Sequence, residues 1–164
     1  MVSLSLNTEN IKLKKEDEYM TPKEVWVSIA HLIPKDKVIF ESFYGDGQSG
    51  KFLKELGFKV ESHDVDFFDD PSFNYDIIIT NPPYSIKAKV FKRLSEIDKP
   101  FMMLIPVATI TKQYLKKYFK DKIQLVIPEK RIQFIKNGVQ NKRCYFDTLW
   151  ICYKMGFKSE ILFL

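Results

Sequence analysis

The stretch KVIFESFYGDGQSGKFLKELGFKVESHD, residues 37–64, contains the pattern that decides the fold. It starts with a short β-branched and aromatic run, KVIFE (37–41), which leads into a glycine turn. SGKFLKEL has helical character and is stopped by Gly57, and a second strand, FKVESHD (58–64), follows at once. This order of strand, turn, helix and strand predicts a βαβ unit with parallel strands.

The same alternation continues along the chain. Further elements are predicted as strands at YDIIIT (75–80), FMMLI (101–105), IQLVI (123–127) and CYFDTLWICY (144–153), and as helices at 86–97 and about 110–120. A polar loop is expected around Asn137-Gly138. The pattern predicts an α/β fold with a Rossmann-like, mostly parallel sheet and helices on both faces. Ligands then belong at the carboxyl ends of the strands.

The segment before this unit predicts a helix and its start. In Thr21-Pro22-Lys23-Glu24, Thr21 is expected to cap the helix VWVSIAHLI (25–33), with Pro22 at the first helical position and Glu24 closing a capping box. Residues 1–18 are expected to be an N-terminal tail. The absence of repeats and linkers predicts a single domain over 19–164.

Composition restricts the class of protein. The chain has 164 residues, 45% of them hydrophobic and 15% aromatic, which suits one folded domain. No apolar run approaches the roughly 20 residues of a membrane span, and the N-terminus lacks the pattern of a secretory signal. The sequence therefore predicts a soluble, cytoplasmic protein. Cys144 and Cys152 have no second Cys/His pair at zinc spacing, so they are expected to be core residues, and no metal site is predicted.

Charge is divided unevenly between the two halves. Residues 1–80 carry 9 Lys and Arg against 15 Asp and Glu, a net −6, whereas residues 81–164 carry 17 against 6, a net +11. Clusters such as KQYLKKYFKDK (112–122) and PEKRIQFIK (128–136) place basic residues among aromatic ones. This arrangement suits a nucleic acid, with phosphates and stackable bases, and charge alone fits a solvated basic face equally well.

The glycine turn GDGQSGKF (45–52) matches two phosphate-binding patterns incompletely. It satisfies GxGxxG, and it misses the P-loop pattern only because Phe52 occupies the position of the Ser or Thr that holds magnesium. A dinucleotide would bring its pyrophosphate to this turn, but Asp46 lies between the glycines and Glu41 ends the preceding strand. These carboxylates would repel phosphate, so both a P-loop nucleotide and NAD are disfavoured.

The same acids suit a cationic ligand without phosphate. S-adenosylmethionine has an ammonium, a sulfonium and a ribose diol, and the acidic first half of the chain matches it. Asp64 and Asp66, after the predicted second strand, are placed to bind ribose hydroxyls and the adenine amino group, or they are simply loop acids. Gly45 and Gly47 carry the prediction of a cofactor turn, whereas Gly50 is expected to serve helix packing.

The stretch TNPPY (80–84) suggests the chemistry. Two prolines, Pro82 and Pro83, follow a buried strand, so the Asn81 side-chain oxygen and the Pro82 carbonyl can be held as acceptors at the edge of the sheet. A flat amino group that donates to both is oriented and made more electron-rich at nitrogen, so that it can attack a methyl sulfonium. Tyr84 could stack on the ring that bears the amine.

These motifs resemble the S-adenosylmethionine-dependent amino-methyltransferases, most of all the adenine-specific nucleic-acid enzymes with the signature [DNS]PP[YFW]. The resemblance covers about residues 19–153: NPPY (81–84) is its specific element, FESFYGDG (40–47) is similar to a cofactor loop usually written DPFxGxG, and YMTP (19–22) is similar to a segment that contacts the methionine end. The implied fold is a seven-stranded sheet with an antiparallel last strand, CYFDTLWICY. The resemblance implies a cofactor site formed by Tyr19, Thr21, Glu41, Gly45, Asp46, Gly47, Asp64, Asp66 and Asn81. It implies a base clamp formed by Asn81, Pro82, Pro83 and Tyr84.

Two features depart from the family pattern. The residues after NPPY are about enough for the remaining strands and helices, so no separate target-recognition domain is expected. Specificity is expected from loops at about 84–90, 106–113 and 128–145, from the N-terminal tail or from a partner. The interval from Asp64 to Asn81 is short, so two acidic motifs of the family are expected to be merged in HDVDFFD.

The sequence thus predicts an enzyme that transfers a methyl group to the amino group of a flipped adenine, in DNA more than in RNA. A homodimer or a recognition subunit would be compatible with it. Three alternatives stay open: a protein glutamine amide methyltransferase, a catalytically inactive nucleic-acid-binding subunit with this fold, and an NAD oxidoreductase.

Overall fold

The computed structural model describes residues 19–140 and 144–164, so the predicted tail, residues 1–18, lies outside the described residues. The helices are α1 (Lys23–Ile29), α2 (Gln48–Glu55), α3 (Lys87–Ile97) and α4 (Gln113–Tyr118). The strands are β1 (Val38–Phe40), β2 (Lys59–Glu61), β3 (Ile77–Thr80), β4 (Phe101–Pro106), β5 (Ile123–Ile127), β6 (Ile135–Lys136), β7 (Val139–Gln140), β8 (Thr148–Tyr153) and β9 (Ile161–Phe163). Short 3-10 turns span Ala30–Leu32, Tyr84–Ile86, Val107–Thr111 and Lys120–Lys122.

Seven strands form one sheet in the order β2-β1-β3-β4-β8-β5-β9. Strands β2, β1, β3 and β4 run parallel, and β8 is antiparallel to both of its neighbours. The predicted α/β fold class with a mostly parallel sheet is therefore confirmed. One detail differs, because the antiparallel strand is not the last: β9 follows it and pairs with β5 in parallel, with Leu125 opposite Ile161. Three residues are too few for their alternation to be recognised in advance.

Helices cover both faces of the sheet because its central strands are apolar on both sides. All four residues of β3 are buried. On one face, Trp26 of α1 packs edge-on against Trp150 of β8, with ring centroids 5.7 Å apart. On the other face, Phe91 of α3 contacts Phe101 of β4 at 6.1 Å. No helix within the described ranges is long and apolar enough to cross a membrane.

The start of α1 differs from the predicted capping box. The helix begins at Lys23 with the extended Pro22 as its N-cap, and the Val25 amide donates to the Pro22 carbonyl at 3.1 Å. Thr21 makes no side-chain cap, and the Glu24 carboxylate instead accepts a 3.3 Å hydrogen bond from Gln140. The Thr21 hydroxyl is buried without a hydrogen-bond partner among the described residues, so the capping prediction is wrong.

Two strand boundaries also differ from the predicted ones. The second strand ends at Glu61 rather than at residue 64, because its pairing with β1 stops where the Glu41 amide bonds the Glu61 carbonyl at 3.0 Å. The predicted strand 144–153 begins only at Thr148. Cys144 and Cys152 are buried free cysteines, as expected of core residues.

The expected polar loop around Asn137-Gly138 is a β-hairpin. Asn137 and Gly138 both have positive φ, 53° and 74°, as a two-residue hairpin turn requires. Strands β6 and β7 are outside the main sheet. Residue Met20 pairs with Ile135 through two backbone hydrogen bonds of 2.8 and 2.9 Å, so the N-terminal segment adds a third strand-like edge.

Candidate functional site

The candidate site lies where β1 and β3 end side by side. Strand β1 has β2 on one side and β3 on the other, so chain connections diverge here and a crevice is expected at the carboxyl ends. Glu41 follows β1 directly, and Asn81 follows β3. The Thr80 hydroxyl donates a 2.5 Å hydrogen bond to Glu41 Oε1 and joins the two strand ends.

Glu41 is a buried acid with an incomplete set of partners. Its side chain is 1% exposed, and burial raises the pKa of Glu41 from 4.5 to about 8, even though the hydrogen bond from Thr80 acts in the opposite direction. Among the described residues, Glu41 Oε2 has no hydrogen-bond partner of good geometry. An acid left in this state is suited to a ligand that supplies a donor or a positive charge.

The Asn81 amide has one end anchored and one end open. Its Nδ2 donates a 2.9 Å hydrogen bond to the Tyr19 carbonyl, which holds the amide plane against the N-terminal segment. Its Oδ1 is buried and accepts no hydrogen bond from the described part of the chain. The next two residues are prolines, and Pro83 is extended with φ −59° and ψ 125°, so the backbone leaves the strand in a restricted conformation. Asn81 therefore presents a fixed acceptor.

Four aromatic rings lie beside this acceptor. Tyr19 and Tyr84 are nearly parallel, with centroids 6.4 Å apart and planes inclined by 19°, and Phe134 and Phe146 form a second near-parallel pair at 6.1 Å. The two pairs contact each other edge to face at 5.6 to 6.4 Å. We call these residues the aromatic cluster. Phe134 is fully buried, whereas the partly exposed rings of Tyr19, Tyr84 and Phe146 offer a surface on which a planar ring can stack.

Each glycine of the cofactor turn makes room for a neighbouring side chain. Gly45 has φ 57°, and a Cβ on it would lie 3.1 Å from the sulfur of Met20. Gly47 has φ 77°, and a Cβ there would lie 2.7 Å from the Tyr44 hydroxyl. The glycines therefore let the turn pack closely on its surroundings as well as adopt a left-handed backbone.

The other polar groups of the turn are explained locally. Asp46 is exposed, and its Oδ1 accepts a 3.0 Å hydrogen bond from the Gln48 amide at the start of α2. Gly50 lies against β2, where a Cβ would overlap the Ser62 side chain. The expectation that Gly50 serves helix packing is thus confirmed.

Comparison with known proteins identifies the architecture. No protein-family model matches the sequence, and no curated protein matches it. A dimethyladenosine transferase from Plasmodium falciparum matches with a TM-score of 0.52 and 12% identity, over 82% of this chain and 62% of the Plasmodium chain. The chain has a Rossmann-like methyltransferase fold. Two further structures match less closely, each with a TM-score of 0.49. One is the 23S rRNA methyltransferase ErmE, with 12% identity over 82% of this chain and 69% of its own. The other is a Listeria monocytogenes protein described as a class I S-adenosylmethionine-dependent methyltransferase, with 14% identity over 88% of this chain and 64% of its own. The chain spans less than two thirds of the Plasmodium and Listeria chains.

The acids that follow β2 make no contact, among those described, that would hold them in the crevice. Asp64 and Asp66 are exposed, and Asp66 Oδ1 accepts a 2.9 Å hydrogen bond from the Phe68 amide. The acid at the end of the strand is Glu61, whose Oε2 lies 2.6 Å from His63 Nε2. The binding roles of Asp64 and Asp66 stay predictions.

Sequence reasoning did not single out several residues of the site. Thr80 is the first residue of TNPPY, and a hydroxyl at the end of a strand that neighbours an acidic strand end is a signal that could identify it. Phe134 and Phe146 lie in or beside the segment from which specificity was expected, but their positions depend on how the chain folds back. The Arg131 guanidinium, bound to both Asp147 oxygens at 2.7 and 3.1 Å, closes that fold-back.

Proposed function

We propose that the protein transfers a methyl group from S-adenosylmethionine to the exocyclic amino group of adenine in DNA or RNA. The observation that carries the proposal is the open, buried Asn81 Oδ1, on an amide that the Tyr19 carbonyl anchors. The Tyr19 ring in turn lies nearly parallel to the Tyr84 ring. This combination suits an amino group on a planar ring, because the oxygen accepts the amine hydrogen while the rings contact the base. The likeness to a dimethyladenosine transferase supports the same substrate class.

The buried polar side chains near the strand ends fit S-adenosylmethionine. Polar side-chain atoms of Thr21, Glu41 and Ser42 are buried with no hydrogen-bond partner in the described residues. Such groups can take the ammonium and hydroxyls of this cofactor. The proposed cofactor site consists of Tyr19, Thr21, Glu41, Gly45, Asp46, Gly47, Asp64, Asp66 and Asn81. S-adenosylmethionine supplies an electrophilic methyl group, so the amine needs no nucleophile from the protein.

The proposed clamp holds the amine and its ring separately. Asn81 Oδ1 and the Pro82 carbonyl accept the two amine hydrogens, Pro83 keeps the loop extended, and Tyr84 stacks on the base. Acceptors in the plane of the amine favour the geometry in which its nitrogen attacks, and after transfer the amine releases one proton to solvent. A base must leave its helical stack to reach the clamp.

Parallel methyl-transfer assays test the function. The protein is incubated with tritiated S-adenosylmethionine and unmethylated DNA, total RNA or protein, and the labelled product is identified as a nucleoside or an amino acid. Labelled N6-methyladenine in DNA or RNA is the expected result. Labelled glutamine with unlabelled nucleic acid would show that the substrate is a protein. A rise in the thermal unfolding temperature with NAD but not with S-adenosylmethionine would show that the cofactor is NAD.

Other features of the assembly belong to the same proposal. We place the catalytic unit in residues 19–164 as one domain. The +11 charge of residues 81–164 and the YMTP segment favour nucleic acid over protein as the substrate, and DNA is the nucleic acid we test first. A homodimer or a recognition subunit is part of the same proposal.

A further inference from the structure

The hairpin formed by β6 and β7 reaches from the aromatic cluster into solvent. Phe134 is fully buried in the cluster and directly precedes β6, so the base of the hairpin is fixed at the candidate clamp. The tip, Asn137 and Gly138, is exposed, and a Cβ on Gly138 would meet nothing within 4 Å. A short, exposed turn thus projects beside the place proposed for the target base.

The two faces of this hairpin differ. Lys136 is paired with Val139 and Ile135 with Gln140, and residues opposite each other in an antiparallel pair share one face. Gln140 Nε2 donates to Glu24 of α1 and to the Gln133 carbonyl, each at 3.3 Å, so the face with Gln140 is attached to the protein. The face with Lys136 and Val139 is the other one.

That second face carries a cationic side chain, Lys136, and an apolar one, Val139, next to the aromatic cluster. The Lys136 ammonium lies 5.0 Å from the Tyr19 ring centroid, and the Lys87 ammonium lies 5.8 Å from that of Tyr84. Val139 is 70% exposed, among the largest exposures of the apolar side chains described. The acid next to the hairpin, Glu24, accepts the hydrogen bond from Gln140 on the attached face.

We propose that the face of the β6–β7 hairpin with Lys136 and Val139 contacts the nucleic acid next to the target nucleotide. Lys136 binds a backbone phosphate, and Val139 packs against the neighbouring base. The inference rests on the proposed function and names the surface by which that site holds its substrate strand. The Lys136 ammonium over the Tyr19 ring matches a polyanion, and the exposed Val139 paired with it matches a base exposed by the departure of its neighbour.

The test uses the full chain with Lys136→Gln and Val139→Ser. Matched controls are Lys158→Gln and Ile161→Ser, which change an exposed lysine and a half-exposed apolar residue around the start of β9. Binding is followed by fluorescence anisotropy on labelled single- and double-stranded DNA and RNA oligonucleotides that contain adenine, over a range of salt concentrations. Methyl transfer is measured on the same oligonucleotides.

Lys136→Gln is expected to weaken binding and to reduce the slope of log K against log salt by about one, as for the loss of one phosphate contact. Val139→Ser is expected to raise the nucleic-acid KM severalfold while kcat stays within about twofold, because it removes binding that is equal in ground and transition states. Both controls should behave as the unmodified protein does.

A photo-cross-linking amino acid placed at 139 gives an independent measurement. Cross-linking to labelled oligonucleotide from position 139 and not from position 161 supports the proposal. If the unmodified protein methylates nucleic acid but the hairpin variants match their controls and position 139 gives no cross-link, the hairpin proposal is overturned and the function stands. If the protein methylates only protein, both are overturned.

Discussion

The Thr80 hydroxyl bonds Glu41 Oε1 at 2.5 Å and joins the carboxyl ends of two neighbouring parallel strands. Asn81 continues directly from Thr80, so the acid after β1 and the amide after β3 are held in one arrangement. The bond is made between two side chains that are almost completely buried. The predicted cofactor acid and the predicted clamp are therefore parts of a single site.

Glu41 should make the stability of the ligand-free protein depend on pH. Its pKa is about 8 in the folded protein against 4.5 for the ordinary group, so the folded state binds the proton more tightly. The free energy of unfolding should fall as pH rises from about 4.5 to about 8, by up to about 1.4 kcal/mol per pH unit. Denaturant unfolding across this interval measures it. Glu41→Gln should remove this part of the dependence, and an unchanged slope in that variant would contradict the assignment.

The same acid should couple S-adenosylmethionine binding to proton release. A cation next to Glu41 lowers its pKa, so binding at pH 7 should release close to one proton, and affinity should rise as pH approaches 8. Titration calorimetry at pH 7 in two buffers of different ionisation enthalpy counts the protons. Glu41→Gln serves as the control and should release none. Proton uptake by the unmodified protein would show that the acid does not meet a positive charge.

Asn81→Ala should abolish most methyl transfer and leave the protein folded. The variant removes the acceptor that orients the amine, a change expected to lower single-turnover rates by about 10²- to 10³-fold. Single-turnover assays at saturating S-adenosylmethionine give the rate, and thermal unfolding confirms the fold. Asn74→Ala, at an exposed asparagine before β3, is the matched control. A full rate in folded Asn81→Ala would exclude the proposed clamp.

Gly50→Ala should destabilise the protein although alanine favours helices. Alanine in a helix interior is better than glycine by about 1 kcal/mol, but the new methyl group would overlap the Ser62 side chain, and overpacking of this kind costs about 1–3 kcal/mol. The clash should win, which chemical denaturation can measure. Gly50→Ala should cost much less stability when it is introduced into the Ser62→Gly variant than into the unmodified protein, because the Ser62 side chain is then absent. An equal cost in both would mean that another contact limits the site.

The fold could be predicted from particular local signals. The run YDIIIT lacks polar alternation, which identified β3 as a buried parallel strand, and the stretch 37–64 specified the βαβ unit. Short or solvent-side elements were harder. The strand β9 has three residues, and Asn137-Gly138 gave a turn signal whose flanking strands are only two residues each. Signals of that length compete poorly with the alternatives open to an isolated segment.

The sequence by itself determined the residue types of the site: an acid after β1, glycines in the turn, and Asn-Pro-Pro-Tyr after β3. Local order along the chain specifies these, because each is attached to a strand end. Tertiary structure alone decided that Thr80 bonds Glu41, that Tyr19 anchors Asn81, and that Phe134 and Phe146 complete the aromatic cluster. Those partners are distant in sequence, and strand pairing together with the Arg131–Asp147 ion pair brings them into contact.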